Sequence, residues 1–176
     1  MKSTLPQRKV HIATFGCQMN EYDSDKMLEI LNQENYQYTD EAGEADLILL
    51  NTCSVRDKAE QKVYSLLGRL RKLKQTNPKL KIGVGGCVAQ QEGQQILARE
   101  RSVDLVFGTD NLFELPELLA EVAQGERIAR TNRVAPRQKV RNFIPEEVSL
   151  SKRANLKAHL AITKGCNNFC SFCIVP

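Results

Sequence analysis

The fold is decided by a short apolar run that ends in a cysteine, ADLILLNTC at residues 45–53. Its four consecutive aliphatic residues, Leu47 to Leu50, are typical of a strand that is buried on both faces, as the strands of a parallel sheet are. Three more runs of this kind occupy residues 10–15, 81–85 and 103–107. Longer stretches separate the four runs, so the sequence predicts strands that alternate with helices around a parallel sheet.

The intervals between these runs carry helical patterns. The clearest pattern follows Asp57 and places apolar residues at steps of three and four, at Ala59, Val63, Leu66, Leu67, Leu70 and Leu73. Weaker patterns cover residues 24–33 and 90–101, and a further one runs from Asn111, a candidate N-cap, to Ala123. Residues 1–125 are therefore predicted to form a four-strand parallel, doubly wound α/β domain of the flavodoxin or Rossmann type.

Length and composition limit the class of protein. The chain has 176 residues, of which 41% are hydrophobic and 26% charged, and this excludes fibrous, disordered and disulfide-miniature proteins. The apolar runs are too short to cross a membrane, and the polar start MKSTLPQRK has no apolar signal core. We expect a soluble, cytoplasmic protein without a membrane partner, whose thiols stay reduced or bind metal.

Positive charge is concentrated in two places. Residues 126–157 hold nine basic and three acidic residues, two prolines and no sustained periodicity, which predicts a basic linker. Residues 1–125 hold fifteen basic and eighteen acidic residues, yet a second basic cluster lies there, at Arg69, Arg71, Lys72, Lys74, Lys79 and Lys81. Such clusters are either solvated surface or the site of an anionic partner such as RNA, and charge alone does not decide between them.

The most specific signal lies after the linker. Residues 158–162 form a fresh strand pattern, and the loop after it carries cysteines in a C-x3-C-x2-C spacing, at Cys166, Cys170 and Cys173. Three thiolates on a short loop can each hold one iron of a 4Fe-4S cluster and leave the fourth iron free for a small molecule. A structural zinc site would require a fourth Cys or His ligand. A single strand cannot bury a core, so residues 158–176 either pack on the first domain or begin a longer one.

The other three cysteines are far apart in sequence but equivalent in topology. Cys17, Cys53 and Cys87 each follow a predicted strand, and parallel strands deliver their C-terminal loops to one edge of a sheet. The neighbouring Gly16, Gly85 and Gly86 would allow the backbone to approach a bulky inorganic ligand. A second iron–sulfur cluster with an open iron is the favoured interpretation. A dithiol redox site, a zinc site and three small buried hydrophobic residues are the alternatives.

The motifs together resemble the methylthiotransferase family of radical S-adenosylmethionine enzymes. They are TFGCQMN at residues 14–20, LNTCSVR at 50–56, GGCVAQ at 85–90 and the segment from Cys166 to Pro176, in which Phe172 matches a common aromatic position. The resemblance covers the whole chain. It is strongest to the branch that modifies tRNA, because the branch that modifies a ribosomal protein tends to have Pro-Lys-Asn after its first cysteine, where this chain has Gln18-Met19-Asn20.

The resemblance implies a chemistry and a ligand set. Cys17, Cys53 and Cys87 would hold an auxiliary 4Fe-4S cluster, and the three C-terminal cysteines the radical 4Fe-4S cluster, with S-adenosylmethionine bound beside Phe172. The implied reaction is methylthiolation of C2 of N6-isopentenyladenosine next to the anticodon of tRNA. The cofactors would carry out the catalysis, and no side chain is assigned as a general acid or base. An electron donor and a sulfur source are the further partners, and we expect a monomer.

Five residues beside the first-domain cysteines are candidates for hydrogen bonds to cluster sulfides: Asn20, Asn51, Thr52, Ser54 and Arg56. Alternatively, such residues simply cap or turn the chain. Family members continue with most of a partial (β/α) barrel and a β-rich RNA-binding domain. We therefore expect residues 158–176 to be the start of a truncated barrel, and the chain alone to bind iron and sulfide without completing methylthiolation.

Three other hypotheses remain open at this point. The chain could belong to the ribosomal-protein branch of the family. It could be a natural short product that binds iron–sulfur clusters or tRNA without catalysis. Finally, it could be a thiol or zinc redox protein on a flavodoxin-like scaffold.

Overall fold

The computed structural model describes residues 6–54 and 59–133, together with residues 168, 170 and 171. The described chain is an α/β domain with one sheet. Its elements are β1 (Arg8–Thr14), α1 (Gln18–Gln33), β2 (Tyr36–Tyr38), β3 (Leu47–Thr52), α2 (Ala59–Thr76), β4 (Lys81–Gly86), α3 (Cys87–Glu92), α4 (Gln94–Arg99), β5 (Leu105–Phe107), α5 (Leu115–Ala123) and β6 (Ile128–Arg130). Most of the predicted linker and the predicted strand at 158–162 lie outside the described residues.

The sheet has six strands in the order β2-β1-β3-β4-β5-β6, and every neighbouring pair is parallel. The chain first moves outward from β1 to β2 and then returns to the other side of β1 with β3. The order therefore reverses between β1 and β3, and the crevice at such a reversal is where open α/β sheets bind their ligands. The predicted fold class is confirmed.

Each face of the sheet is covered by helices and carries its own hydrophobic core. Leu47 and Leu49 of β3 pack with α1 and α5, whereas Ile48 and Leu50 pack with α2, α3 and α4. All six residues of β3 are buried, because this strand lies in the middle of the sheet with layers on both sides. Among the described residues, no helix is long and apolar enough to cross a membrane.

The structure corrects the predicted strand count from four to six. The two additional strands, β2 and β6, have three residues each, Tyr36–Tyr38 and Ile128–Arg130, and lie at the two edges of the sheet. Strands of this length contain too few apolar residues to show a period of their own. β6 also lies within the range predicted as linker, so the sheet continues beyond residue 125.

Helices occur in all four segments where the sequence predicts them, but their boundaries differ from the prediction. α1 begins at Gln18, six residues before the predicted start, and α2 extends to Thr76. The pattern at 90–101 predicts one helix, but the structure has two, which meet at Gly93 with a φ of 45°. A residue in this left-handed conformation interrupts a right-handed helix, and glycine adopts it without steric cost.

Gly85 makes room for an aromatic ring in the core. A Cβ built on Gly85 would lie 2.4 Å from Cζ of Phe107 on the neighbouring strand β5. Phe107 is 1% exposed and belongs to the core beneath α1 and α5. Gly85 therefore has a packing role, because the ring of Phe107 occupies the place of a side chain, and the approach of a ligand at Gly85 stays a prediction.

We expect Gly85→Ala to destabilise the chain by about 1–3 kcal/mol, because the methyl group overlaps a buried ring that has little room to move. Urea denaturation provides the measurement. Gly43→Ala is the control, since nothing lies within 4 Å of a Cβ at Gly43. Combining Gly85→Ala with Phe107→Leu should recover part of the loss, and strictly additive effects of the two changes would contradict this packing.

Tyr64 joins the three helices on one face of the sheet. Its hydroxyl, on α2, donates a hydrogen bond to Glu92 at the end of α3, and the guanidinium of Arg99 on α4 lies 3.8 Å from the ring centre. Burial, followed by the hydrogen bond and the charge of Glu92, raises the pKa of Tyr64 to about 12. The neutral phenol is therefore the form that the folded state stabilises.

Stability should fall at high pH as Tyr64 ionises. Its folded pKa of about 12 exceeds the ordinary value of 10.0, so this contribution is complete below pH 10 and is lost as the pH rises through about 12. The difference in tyrosinate absorbance between the chain and Tyr64→Phe gives the titration. Glu92→Gln should lower the pKa, and a titration of Tyr64 near pH 10 in the parent chain would contradict the assignment.

Candidate metal centre

Three cysteines follow three strands that are neighbours in the sheet. Cys17 comes just after β1, Cys53 directly after β3 and Cys87 directly after β4, and these strands are adjacent in the order β1-β3-β4. All three are free thiols at the carboxyl edge of the sheet. Cys17 and Cys53 flank the point where the strand order reverses, so the thiols lie where the topology of the fold favours a ligand.

Cys17 is the N-cap residue of α1. Its carbonyl oxygen accepts hydrogen bonds from the backbone N–H groups of Asn20 and Glu21, and its own N–H donates to Oδ1 of Asn20 at 3.3 Å. The positive end of the α1 dipole favours a negatively charged group at this position. An anionic iron–sulfur centre would gain from that field.

The loops that carry Cys17, Cys53 and Cys87 are called the first, second and third loop. Gly16 brings the first loop against the second. Its φ is 129°, and a Cβ built on it would lie 2.3 Å from Cβ and 3.0 Å from Sγ of Cys53. Any other residue here would both strain the backbone and push the two loops apart. Gly86 has a similar role, because a Cβ there would meet the backbone of Thr52 on β3 at 2.3 Å. Both glycines thus allow neighbouring loops to meet.

The three thiols differ in their exposure to water. Cys53 is 2% exposed, Cys87 is half-buried and Cys17 is exposed. Burial is the main cause that raises the pKa of Cys87, and the negative charges of Cys53 and Asp23 add to it. Hydrogen bonds from the backbone and side chain of Ser54 act in the opposite direction. Cys53 and Cys87 follow the neighbouring strands β3 and β4, so the second and third loops lie side by side at this edge.

A pair of buried asparagines ties the first loop to the second. Nδ2 of Asn20 donates to Oδ1 of Asn51 at 3.1 Å and to the carbonyl oxygen of Thr52 at 3.0 Å. Nδ2 of Asn51 donates to the carbonyl oxygen of Asn20 at 2.7 Å and to Oγ of Ser24 at 2.9 Å. All amide hydrogens of both side chains therefore have protein partners, and the two residues are 3% and 0% exposed.

Thr52 links the second loop to the third, because its hydroxyl donates to the carbonyl oxygen of Gly85 at 2.6 Å. Ser54 lies in the same loop, directly after Cys53, and lowers the pKa of Cys87 against the effect of burial. Of the five residues predicted to lie beside the cysteines, the structure thus brings four together at this edge. The fifth, Arg56, lies outside the described residues.

Sequence reasoning missed two members of this network, Ser24 and Thr14. Ser24 accepts a hydrogen bond from Asn51 and shares another with Oγ1 of Thr14 at 2.8 Å. The available signal was the spacing from Asn20 to Ser24, which places both side chains on the same side of α1.

The donor set fits an iron–sulfur cluster. In such a cluster each thiolate binds a different iron, so the sulfurs need not converge on one point as the ligands of a single ion must. No group of three His, Cys, Asp or Glu side chains in the described parts of the chain is arranged to hold one metal ion. Beside Cys17 an open depression of about 470 Å³ extends along Gly16, Gln18, Met19 and Glu21, which leaves space for a bulky group.

The second predicted cluster loop is described only in part. Cys170 is a free and exposed thiol. Cys166, Cys173 and the predicted cofactor-binding residue Phe172 lie outside the described residues.

The sheet and the three thiols at its carboxyl edge lie within the range of one protein family. A family model described as the uncharacterized protein family UPF0004 matches residues 9–108, which include β1 to β5 and all three thiols of the site. The chain belongs to this family.

Individual relatives specify the similarity further. The chain is 49% identical over 170 residues to a tRNA-2-methylthio-N(6)-dimethylallyladenosine synthase of Serratia proteamaculans, and 51% identical over 171 residues to that of Anaeromyxobacter dehalogenans. These alignments cover 96% and 97% of the chain but 35% and 36% of the relatives, so the chain spans about a third of their length. The resemblance to methylthiotransferases is confirmed, and the names of these relatives favour the tRNA branch over the ribosomal-protein branch.

We expect Asn20→Ala to destabilise the metal-free chain by about 1–3 kcal/mol, because buried Oδ1 of Asn51 and the carbonyl oxygen of Thr52 both lose a donor. Chemical denaturation under reducing conditions measures the effect. Asn32→Ala, at an exposed position of the same helix, is the control and should change stability by less than about 0.5 kcal/mol. Equal effects of the two substitutions would contradict a structural role for the amide pair.

Proposed function

We propose that this chain provides the cluster-binding portion of a tRNA methylthiotransferase, which adds a methylthio group to C2 of N6-isopentenyladenosine next to the anticodon. The observation that carries the proposal is the position of Cys17, Cys53 and Cys87 at one carboxyl edge of the sheet, after the adjacent strands β1, β3 and β4. The names of the relatives support the choice of substrate. The proposed substrate is therefore a tRNA that already carries the isopentenyl group.

Cys17, Cys53 and Cys87 would hold an auxiliary 4Fe-4S cluster and leave one of its irons without a protein ligand. When bound, such a cluster supplies electron transfer and an iron that is open to a small molecule. The protein's own contribution is positional. The Asn20–Asn51 pair holds the first two loops together, and Thr52 attaches the third. Burial of Cys53 keeps water from that side of the site.

Cys166, Cys170 and Cys173 would hold the second 4Fe-4S cluster, with S-adenosylmethionine beside Phe172. The C2 hydrogen of the adenine ring is not acidic, so a general base at neutral pH has no easy route to it, and cofactor chemistry is required. This reaction also requires an electron donor and a source of sulfur. We further propose that the protein acts in the cytoplasm, where tRNA is modified, and as a monomer.

A dithiol redox site or a zinc site is the competing function. The buried, hydrogen-bonded loops around Cys53 would serve either one, but the edge position of three thiols on three separate strands favours the larger ligand. Metal and sulfide counts distinguish these functions, because a zinc site contains no inorganic sulfide.

After anaerobic reconstitution with iron and sulfide, Cys53→Ala should lose about four irons and four sulfides relative to the parent chain, because one cluster loses its most buried ligand. Iron, zinc and labile-sulfide analyses provide the counts. Ile48→Val removes one methyl group from the same strand, and this control should keep the parent iron content.

Cys166→Ala should remove a separate set of about four irons, and the double variant should bind none. Stoichiometric zinc without labile sulfide in the parent chain would overturn the proposal in favour of the zinc site. Unchanged iron content in Cys53→Ala would overturn the assignment of this ligand set.

A further inference from the structure

The outer surface of α2 and the turn after it carries positive charge that the proposed cluster site does not use. Residues 61–81 contain seven basic residues and no acidic one, whereas the rest of residues 1–125 contains eight basic and eighteen acidic residues. The domain is thus acidic apart from one helix and its turn. The seven are Lys62, Arg69, Arg71, Lys72, Lys74, Lys79 and Lys81.

Only one of these seven side chains has an acidic partner among the described residues. Lys74 forms an ion pair with Asp104 and donates to the carbonyl oxygen of Ser102, which fixes it against the neighbouring loop. Lys62, Arg69 and Lys72 are exposed and form no ion pair within the described parts of the chain. No carboxylate of the described residues neutralises their charge.

The helical period places these three charges in a row. Val63, Leu67 and Leu70 are buried against the sheet, and the steps of seven and three from Lys62 to Arg69 and Lys72 keep the basic residues on the outer side. At 1.5 Å per residue, the row extends for about 15 Å along α2. The carboxyl edge of the sheet, where Cys17, Cys53 and Cys87 lie, is called the thiol edge. Since α2 follows the carboxyl end of β3, the row of basic residues begins near the thiol edge and leads away from it.

Gly68 lies between these charges and has no structural reason to be glycine. It is exposed in the middle of α2, and nothing lies within 4 Å of a Cβ built there. Glycine in a helix interior lowers helix stability, so neither packing nor helix stability explains a glycine at this position. It does allow another molecule to come close to the helix backbone between Lys62 and Arg69.

We propose that this row, Lys62, Arg69 and Lys72, is a docking surface for the phosphate backbone of RNA. Lys72 lies about 20 Å along α2 from the helix start at the thiol edge, too far for a free nucleoside to contact both. A structured RNA spans that distance while one of its nucleotides occupies the thiol edge. The inference deepens the proposed function and rests on it for the identity of the partner as tRNA.

Binding of the reconstituted 176-residue chain to a fluorescently labelled tRNA transcript, followed by anisotropy over a range of salt concentrations, tests the surface. Arg69→Gln with Lys72→Gln should weaken binding about tenfold at low salt and reduce the slope of log K against log salt by about two. Lys9→Gln with Lys26→Gln removes the same charge from other elements and is the matched control. It should leave affinity and slope near those of the parent.

Arg69→Lys with Lys72→Arg keeps the charges and should bind as the parent does, because phosphate contacts of this kind require charge. Equal affinity and slope for the glutamine pair, the control pair and the parent would overturn the surface. So would the absence of measurable RNA binding by the parent, or equal binding of polyglutamate at the same salt. Iron and sulfide counts of every variant are expected to match the parent, so failure of the surface and failure of the cluster site give different results.

Discussion

The whole arrangement depends on one constraint, which is that parallel strands end at the same edge of their sheet. Three thiols that are more than thirty residues apart in the chain become neighbours because β1, β3 and β4 are adjacent and point the same way. The reversal of strand order between β1 and β3 opens the crevice beside two of them. No long loop is needed to bring the ligands together, so each thiol is held by a short segment attached to a rigid strand.

The polar network at this edge converts that proximity into a fixed geometry. Buried amides are costly when partly satisfied, but Asn20 and Asn51 satisfy one another and the surrounding carbonyl and hydroxyl groups. The pair therefore specifies one relative position of the two loops. Much of the order of the site resides in the polypeptide, because these hydrogen bonds connect protein to protein.

The features that follow from local pattern could be predicted from the sequence. The run from Leu47 to Leu50 is apolar on both faces, so it predicts a buried strand. The sequence then places Cys53 at the end of this strand. The strands β2 and β6 could not be predicted, because Tyr36–Tyr38 and Ile128–Arg130 are defined by pairing with a neighbour and not by a pattern of their own.

The details of the site required the three-dimensional structure for a similar reason. The Asn20–Asn51 pair joins residues thirty-one positions apart, and no spacing rule within one element indicates such a partner. Gly85 indicated a close approach in the sequence, but its contact with Phe107 could not be predicted, since Phe107 belongs to a strand that comes later in the chain. These details of the site depend on contacts between different helices and strands. The helices and strands that could be predicted depend on the pattern of residues within each of them.

The position of Phe107 has a consequence for the order in which the protein can mature during synthesis. All three thiols have left the ribosome once residue 87 has emerged, yet the ring that fills the space above Gly85 is twenty residues further along. β4 then still lacks its neighbour β5 and remains an open edge. The nascent chain thus presents all three thiols of this edge on an unfinished sheet, and the packing of Phe107 on Gly85 can form only after β5 has been added.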